Sequence, residues 1–213
     1  MPDRSAPTLP LERGERLVRA DYRQDFQRRD AEIRDGSSWK LERRQHFEEL
    51  GNDSREALRR GDWEGALRLL AGRRDRLRAE ALEDQRRGHA FHRVRVVETP
   101  LTPYVQWELH SLNVRAACGE RIRVVPAETV APAETHAPLP ELVVLGGSVL
   151  YNVVYTEAGV PDGAIRFTDA GLVGAWETYI KELYGLGEDL RSYFDREVAH
   201  LTPPTRQPTT TPE

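Results

Sequence analysis

The chain has 213 residues, of which 38% are hydrophobic and 31% charged, and its formal net charge is −4. This length is that of one domain, and the single cysteine, Cys118, excludes an internal disulfide and a cysteine-built zinc site. No apolar run approaches the about 20 residues that a membrane-spanning helix needs, so we expect a cytoplasmic protein without membrane contact.

The N-terminal third is polar and is predicted to be mostly helical. Residues 1–10 hold three prolines and are expected to form a disordered tail. Apolar residues at helical spacing predict an N-terminal helix within residues 11–35, which ends at Gly36. The segment from Trp39 to Phe47 is expected to be a strand with one buried face, and Gly51 to Asp53 is expected to be a turn.

Two helices are predicted in the arginine-rich segment that follows. Ser54 caps a short helix through Arg60, and Asp62 caps a longer one to about Arg87. The apolar positions of the longer helix form one stripe, which comprises Trp63, Ala66, Leu67, Leu70, Leu77, Ala81 and Leu82. DNA binding by this segment is an open alternative, although its mixed charges favour a solvated face with ion pairs between successive turns.

The second half is richer in predicted strands. The segment from Phe91 to Val97 alternates, a helix follows from Pro103 to about Cys118 with Thr102 as its cap, and Arg121 to Val125 is a second strand. A strand, helix and strand in this order predict a βαβ unit with parallel pairing.

The C-terminal part is predicted to pair as hairpins. After a proline-rich loop over residues 126–140, strands before and after Gly146-Gly147-Ser148 form a hairpin. A short strand to Phe167 and a final helix precede a disordered Pro/Thr-rich tail over residues 196–213. The fold class is therefore α+β, a mixed β-sheet with covering helices, and residues 36–195 are expected to form a single domain.

One cluster of charged and aromatic residues is a candidate ligand-binding site. If the two arginine-bearing strands are neighbours, four guanidiniums line one sheet face, and nearby glutamates are available to pair with them. The aromatic side chains of Tyr104, Trp107, Tyr151 and Tyr155 could line a groove, although core packing is the more common role of such residues. The candidate residues are Arg93, Arg95, Tyr104, Trp107, Glu108, Arg121 and Arg123.

The motifs of common catalytic centres are missing from the sequence. The histidines form no tight metal-ligand pattern, and His89 and His92 straddle a predicted helix-to-strand junction. Ser148 lacks the strand-to-helix elbow of hydrolases, and Cys118 is expected to be a small core residue. Since no glycine-rich phosphate loop is present either, we expect no cofactor, no metal and no catalytic residue.

Several segments in order resemble a known family. The segments RVRVV-ETPLTPY-VQWEL, GERIRVVP, LPELVVLGGSVLY and PDGAIRFTD resemble an uncharacterised actinobacterial family, a domain of unknown function, over about residues 36–195. Its members tend to accompany helix-turn-helix regulators, which implies a regulatory or partner-binding role. The helix order also resembles half of a phospholipase-D-like fold, but the His-x-Lys pair of those enzymes is missing, which implies that any such ancestor has lost its activity.

The sequence therefore leaves two functions open. The first is a non-catalytic regulatory or protein-interaction module, which binds a protein partner or a second copy of itself through the N-terminal helix and the arginine and aromatic face. The alternative is an enzyme or binder that acts on a phosphate-containing or nucleotide ligand through that face, with a histidine such as His110.

Overall fold

The computed structural model describes residues 5–204, which fold around one eight-stranded sheet. Its strands are β1 (Glu15–Leu17), β2 (Ser37–Glu42), β3 (Ala90–Val97), β4 (Arg121–Pro126), β5 (Leu142–Leu145), β6 (Val149–Tyr155), β7 (Pro161–Phe167) and β8 (Glu188–Asp189). Its helices are α1 (Arg19–Glu32), α2 (Asp53–Arg59), α3 (Trp63–Ala71), α4 (Arg74–Arg86), α5 (Pro103–Ala117), α6 (Ala127–Val130), α7 (Ala170–Leu186) and α8 (Leu190–Glu197).

The sheet is mixed, as predicted. Its strand order is β1-β7-β6-β5-β2-β3-β4-β8, and only the central β2, β3 and β4 run parallel. The crossover from β3 through α5 to β4 confirms the predicted βαβ unit. The turn between β5 and β6 confirms the predicted hairpin, and Gly146 and Gly147 take the positive φ angles, 53° and 66°, that favour glycine there.

Helices cover both faces of the sheet. On one face, here called the α7 face, α7 packs against apolar side chains of the central strands, such as Leu41, Val94 and Val144. On the opposite face, the α5 face, α5 and α8 cover β3 and β4 while α1 covers β6 and β7. The strands β2 and β3 run between these two helical groups, and there the α5 face carries charged side chains.

The helix starts follow from local capping. Thr102 Oγ1 accepts a hydrogen bond from the Val105 N–H at 3.1 Å and Pro103 is the first residue of α5, as predicted. Asp62 caps α3 in the same way, by accepting from the Gly65 N–H.

Two helix predictions were wrong in extent. The N-terminal helix begins at Arg19 instead of Leu11, because Glu15–Leu17 joins the edge of the sheet as β1 and buries Leu17 against β7. The helix predicted from Asp62 to Arg87 is two helices, since α3 ends at Ala71 and α4 begins at Arg74. After that break Leu77 is the one residue of the predicted stripe that is buried, and Leu82 is exposed.

The two predicted tails lie partly outside the described residues, which exclude residues 1–4 and 205–213. Residues 5–10 have no regular secondary structure, yet Ala6 and Leu9 pack against the core of the α7 face. In the C-terminal segment Val198 is buried, and Gln106 Nε2 donates a hydrogen bond to the Thr202 carbonyl at 2.9 Å. Within residues 5–204, no helix is both long and apolar enough to cross a membrane.

Candidate functional site

The strand register divides the four candidate arginines between the two faces of the sheet. Arg93 lies opposite Ile122, and directly opposite residues point to the same face. Arg93 and Arg95 therefore share the α5 face, whereas Arg121 and Arg123 share the α7 face. The prediction that all four guanidiniums line one face is wrong, because a stagger of one residue between two strands inverts the relation between their faces.

Arg95 forms the most deeply buried ion pair of the described chain. Its side chain is 0% exposed, and its Nε and Nη2 atoms donate to Glu108 Oε2 at 2.8 and 2.6 Å. Tyr104 donates its hydroxyl to Glu49 Oε1 at 2.9 Å and lies 3.4 Å from the other Glu108 oxygen. Burial raises the pKa of Glu108, while the Arg95 charge acts in the opposite direction. Because Arg95 is buried and its N–H groups donate to Glu108, they are not available to an anion from solvent.

Arg93 is neutralised as completely by two acids. It donates to both carboxylate oxygens of Glu42 at 2.7 Å and to Glu120 at 2.7 Å, and Lys40 also pairs with Glu42. Burial alone would raise the pKa of Glu42, but the charges of Arg93, Lys40 and Arg95 together lower it below its usual range. Since the positive charges of Lys40, Arg93 and Arg95 are balanced by the glutamates that pair with them, these residues do not form an anion-binding site.

The aromatic candidates are part of the core. Trp107 is 1% exposed, and its Nε1 donates to Ser54 Oγ at 2.9 Å, which in turn donates to the Ala66 carbonyl at 2.8 Å. His110, considered above as a catalytic partner of the arginines, packs against Trp63 and Phe194 instead, with ring centroids 5.0 and 4.8 Å away. The structure therefore brings together Arg95, Tyr104 and Glu108 but does not place His110 beside the arginines.

A groove of about 1110 Å³ opens on the α5 face, next to the ion pairs of Arg93. One side is formed by α1 and the other by α4, and the amino end of β3 supplies the floor. Its lining includes Phe26, Leu77, Ala79, Phe91, Arg93 and Arg121. The groove thus contains two of the predicted site residues, one at its floor and one at its end.

His89 and Asp84, which line the groove, form a hydrogen-bonded chain with the buried Ser38 that the sequence did not predict. His89 Nε2 lies 2.9 Å from Ser38 Oγ, and its Nδ1 lies 3.3 Å from Asp84 Oδ1. These are hydrogen-bond distances of the kind found in hydrolase triads. Ser38 is 0% exposed, however, and its oxygen also accepts from the Gly146 N–H at 3.3 Å, so a substrate carbonyl has no access to it.

Three possible metal ligands at the same place already surround a cation of the protein itself. Asp30, Asp84 and His89 bring ligand atoms within 4.8 Å of one another. Arg87 Nη2 pairs with Asp84, lies 3.4 Å from Asp30 Oδ2 and lies 3.5 Å from His89 Nδ1. Because the guanidinium already neutralises these acids, the residues do not fit a metal site.

Several arginines of the segment from Arg55 to Arg87 form ion pairs along their own helices. Examples are Arg68 with Glu64 and Arg76 with Glu80, both between residues four apart. These pairs agree with the interpretation of the segment as a solvated face. Because an acid lies beside each of these two arginines, this part of α3 and α4 does not present the positive charge alone that a DNA backbone would require.

Comparison with known proteins gives a family but no activity. A family model described as a domain of unknown function, DUF6879, matches residues 24–195. A search of curated proteins finds no match to the chain. Because the match spans most of the sequence, from α1 to α8, the chain belongs to the DUF6879 family.

Proposed function

We propose that the chain is a non-catalytic interaction module that binds a segment of a partner protein in the groove between α1, α4 and β3. The observation that carries this proposal is the groove itself, of about 1110 Å³, whose floor arginine is already neutralised. Pockets for small molecules are mostly about 300–1,000 Å³, so the groove has room for a larger occupant.

The lining of the groove favours a polypeptide over a phosphate ligand. Phe26, Phe91 and Leu77 offer apolar contacts, while Arg93 and Glu120 offer charged groups of both signs. A polypeptide presents apolar, donor and acceptor groups together, and interfaces commonly combine an apolar centre with a polar rim. A phosphate needs unpaired positive charge, and Arg93 on the floor does not supply it, while Arg121, which has no acidic partner in the described part of the chain, lies at the end of the groove.

The wall formed by α4 is lightly attached, which suits a binding element. Leu77 is its one buried residue, and Leu82 is 53% exposed. Elements with few buried contacts move at low energetic cost, so this helix can adjust to an occupant. The resemblance to a family found beside helix-turn-helix regulators supports a regulatory setting for such binding.

The test is a selection of displayed random peptides on the full chain, followed by hydrogen exchange of the complex. We expect a consensus peptide to be enriched and to slow backbone exchange in α4 and at the amino end of β3. No consensus, or protection confined to other elements, would contradict the proposal. Sedimentation of the free chain distinguishes a second copy from a separate partner, since self-association through the groove would be lost when the peptide is added.

A further inference from the structure

Arg121 and Arg123 are two arginines of the α7 face without an acidic partner among residues 5–204. Arg121 Nη1 lies 3.3 Å from His92 Nε2. Arg123 Nη1 donates to the Gly187 carbonyl at 3.1 Å. Each of these contacts uses one nitrogen of a guanidinium that has five N–H donors, so most of the donors stay available.

The two arginines lie on an aromatic group that holds them in place. The His92 ring stacks on Trp39 with centroids 4.0 Å apart, and Tyr184 meets His92 edge-on at 5.3 Å. The Arg123 guanidinium lies 5.0 Å from the Tyr184 ring centroid. Aromatic surface beside a guanidinium excludes water from one side and strengthens the interaction of its charge with an anion on the other side.

The backbone at the end of α7 also fixes Arg123. A Cβ at Gly187 would lie 2.9 Å from the Arg123 Cβ and 3.1 Å from the Val124 carbonyl oxygen, so only glycine permits this close approach. The Gly187 carbonyl is thereby held where Arg123 donates to it. An arginine oriented in this way loses less side-chain entropy when it binds a ligand.

The acids around this cluster are already engaged. Asp189 lies opposite Arg123 in the sheet, but its Oδ1 accepts from the backbone N–H groups of α8. Glu188 pairs with Arg196 at 2.6 Å, and Glu177 pairs with Lys181 at 2.6 Å. Neither Arg121 nor Arg123 therefore forms an ion pair with an acid among residues 5–204, although Asp189 lies opposite Arg123.

His92 supports the arrangement as a neutral ring. Burial, followed by the charge of Arg121 and that of Lys181, lowers the pKa of His92. A neutral imidazole has one nitrogen that can accept a hydrogen bond, and the contact with Arg121 Nη1 is of this kind. Such a ring orients the arginine without adding or removing charge.

We propose that Arg121 and Arg123 form a binding site for the phosphate group of a small phosphorylated molecule. The two arginines share one face of β4, and the planar fork of N–H donors on a guanidinium suits phosphate oxygens. The site lies on the α7 face, beyond the groove proposed above for a partner segment. Arg121 also lines the end of that groove, whereas Arg123 does not, so Arg123 variants test this site alone.

The experiment is a calorimetric titration of the full chain with inorganic phosphate and with adenosine monophosphate, at constant ionic strength. We expect saturable binding that Arg123→Gln weakens about tenfold or more, because the variant loses charge-assisted hydrogen bonds to the phosphate oxygens. Arg23→Gln, at an exposed arginine of α1, is the control and should leave the affinity unchanged. Tighter binding of the nucleotide than of phosphate assigns a nucleotide as the source, and equal affinity assigns free phosphate.

Several results would overturn the site. They are the absence of saturable binding, an unchanged affinity in Arg123→Gln, or an equal loss in Arg23→Gln, which would indicate a general effect of net charge. Circular dichroism checks the fold of each variant. If Arg123→Gln does not fold, Arg121→Gln replaces it, because Arg121 is exposed and its substitution should not disturb the core. Failure of this site leaves the groove proposal untouched, because the peptide selection does not involve Arg123.

Discussion

Arg95 of β3 and Glu108 of α5 form an ion pair that is closed to solvent, with Arg95 Nη2 2.6 Å from Glu108 Oε2. The pair joins the middle of the sheet to the helix that crosses over it. Arg93, on the same face of β3, is also paired, with Glu42 and Glu120. The α5 face of this strand therefore carries charged side chains but no unpaired charge. The sheet thus separates Arg93 and Arg95, which are paired with acids on the α5 face, from Arg121 and Arg123, which form no ion pair on the α7 face within the described residues.

Removal of one partner of this pair should be strongly destabilising. Glu108→Gln leaves Arg95 charged and buried, and we expect a loss of about 3–5 kcal/mol in the free energy of unfolding, measured by urea denaturation. Replacement of both residues, by Arg95→Met with Glu108→Leu, should recover most of this loss. The control Glu64→Gln breaks an exposed pair with Arg68 and should cost about 0–1 kcal/mol. A loss in Glu108→Gln as small as that of the control would refute a solvent-excluded pair.

Glu141 should make stability fall as the pH rises from about 4.5 to about 7. Burial raises the pKa of this carboxyl to about 7, although its Oε1 accepts from the backbone N–H groups of Arg43 and Arg44. In this window the folded protein binds the proton and the unfolded chain releases it, so unfolding becomes easier as the pH rises.

Glu141→Gln removes that proton and tests this dependence. The difference in unfolding free energy between the native chain and the variant should change by a few kcal/mol at most across the window. Glu157→Gln, at an exposed turn, should leave the pH profile unchanged. Parallel profiles for the native chain and Glu141→Gln would contradict the raised pKa.

Ser38 should not react as a nucleophile, despite its hydrogen bond to His89. Its side chain is buried, so a fluorophosphonate probe should not label it in the folded protein. Ser38→Ala should instead lower the free energy of unfolding by about 1–3 kcal/mol, because it leaves buried polar groups of His89 and Gly146 without a partner. Stoichiometric labelling of the native chain that Ser38→Ala abolishes would show an accessible nucleophile and favour an enzyme.

Helix α1 should depend on Asp25 for its attachment to the sheet. Asp25 accepts from the Tyr151 hydroxyl at 2.6 Å and pairs with Arg166 at 2.9 Å, while α1 itself has no buried residue. Burial alone would raise the pKa of Asp25, but these hydrogen bonds lower it below its usual range. Asp25→Asn should speed backbone hydrogen exchange in α1 by about tenfold or more relative to β3, since a charged hydrogen bond contributes about 1.5–3 kcal/mol.

Two results bear on that attachment. Asp21→Asn, in the first turn of the same helix, is the control and should leave the exchange of α1 unchanged. If Asp25→Asn and Asp21→Asn exchange at the same rate in α1, the contacts with Tyr151 and Arg166 do not hold the helix.

Short-range signals in the sequence were sufficient to predict most of the helices and strands. Thr102 followed by Pro103 predicts the start of α5 because the cap and the first residue act within one turn. Gly146 and Gly147 predict the hairpin because the turn needs positive φ angles. The parallel pairing of β3 with β4 follows from the crossover helix between them.

The candidate site could be predicted only in part, because it depends on relations between distant residues. The stagger that places Arg93 opposite Ile122 is set by packing of α5 and α7, and neither strand encodes it locally. The contact between Ser38 and His89 joins residues 51 positions apart, and it exists only because β2 and β3 are neighbours. The sequence suggested Glu98 and Glu108 as partners of the four arginines, and in the structure Glu108 pairs with Arg95 whereas Glu98 pairs with Arg43.

The measurement that tests the central claim most directly is the affinity of a selected peptide for two matched tryptophan variants. Ala79→Trp places an indole on the groove wall of α4, and Ala71→Trp places one at an equally exposed alanine of α3 outside the groove. By fluorescence anisotropy, we predict that Ala79→Trp weakens binding by about tenfold or more, a loss of about 1.4 kcal/mol or greater, while Ala71→Trp leaves it unchanged. Equal affinity for both variants would place the peptide elsewhere and contradict the account.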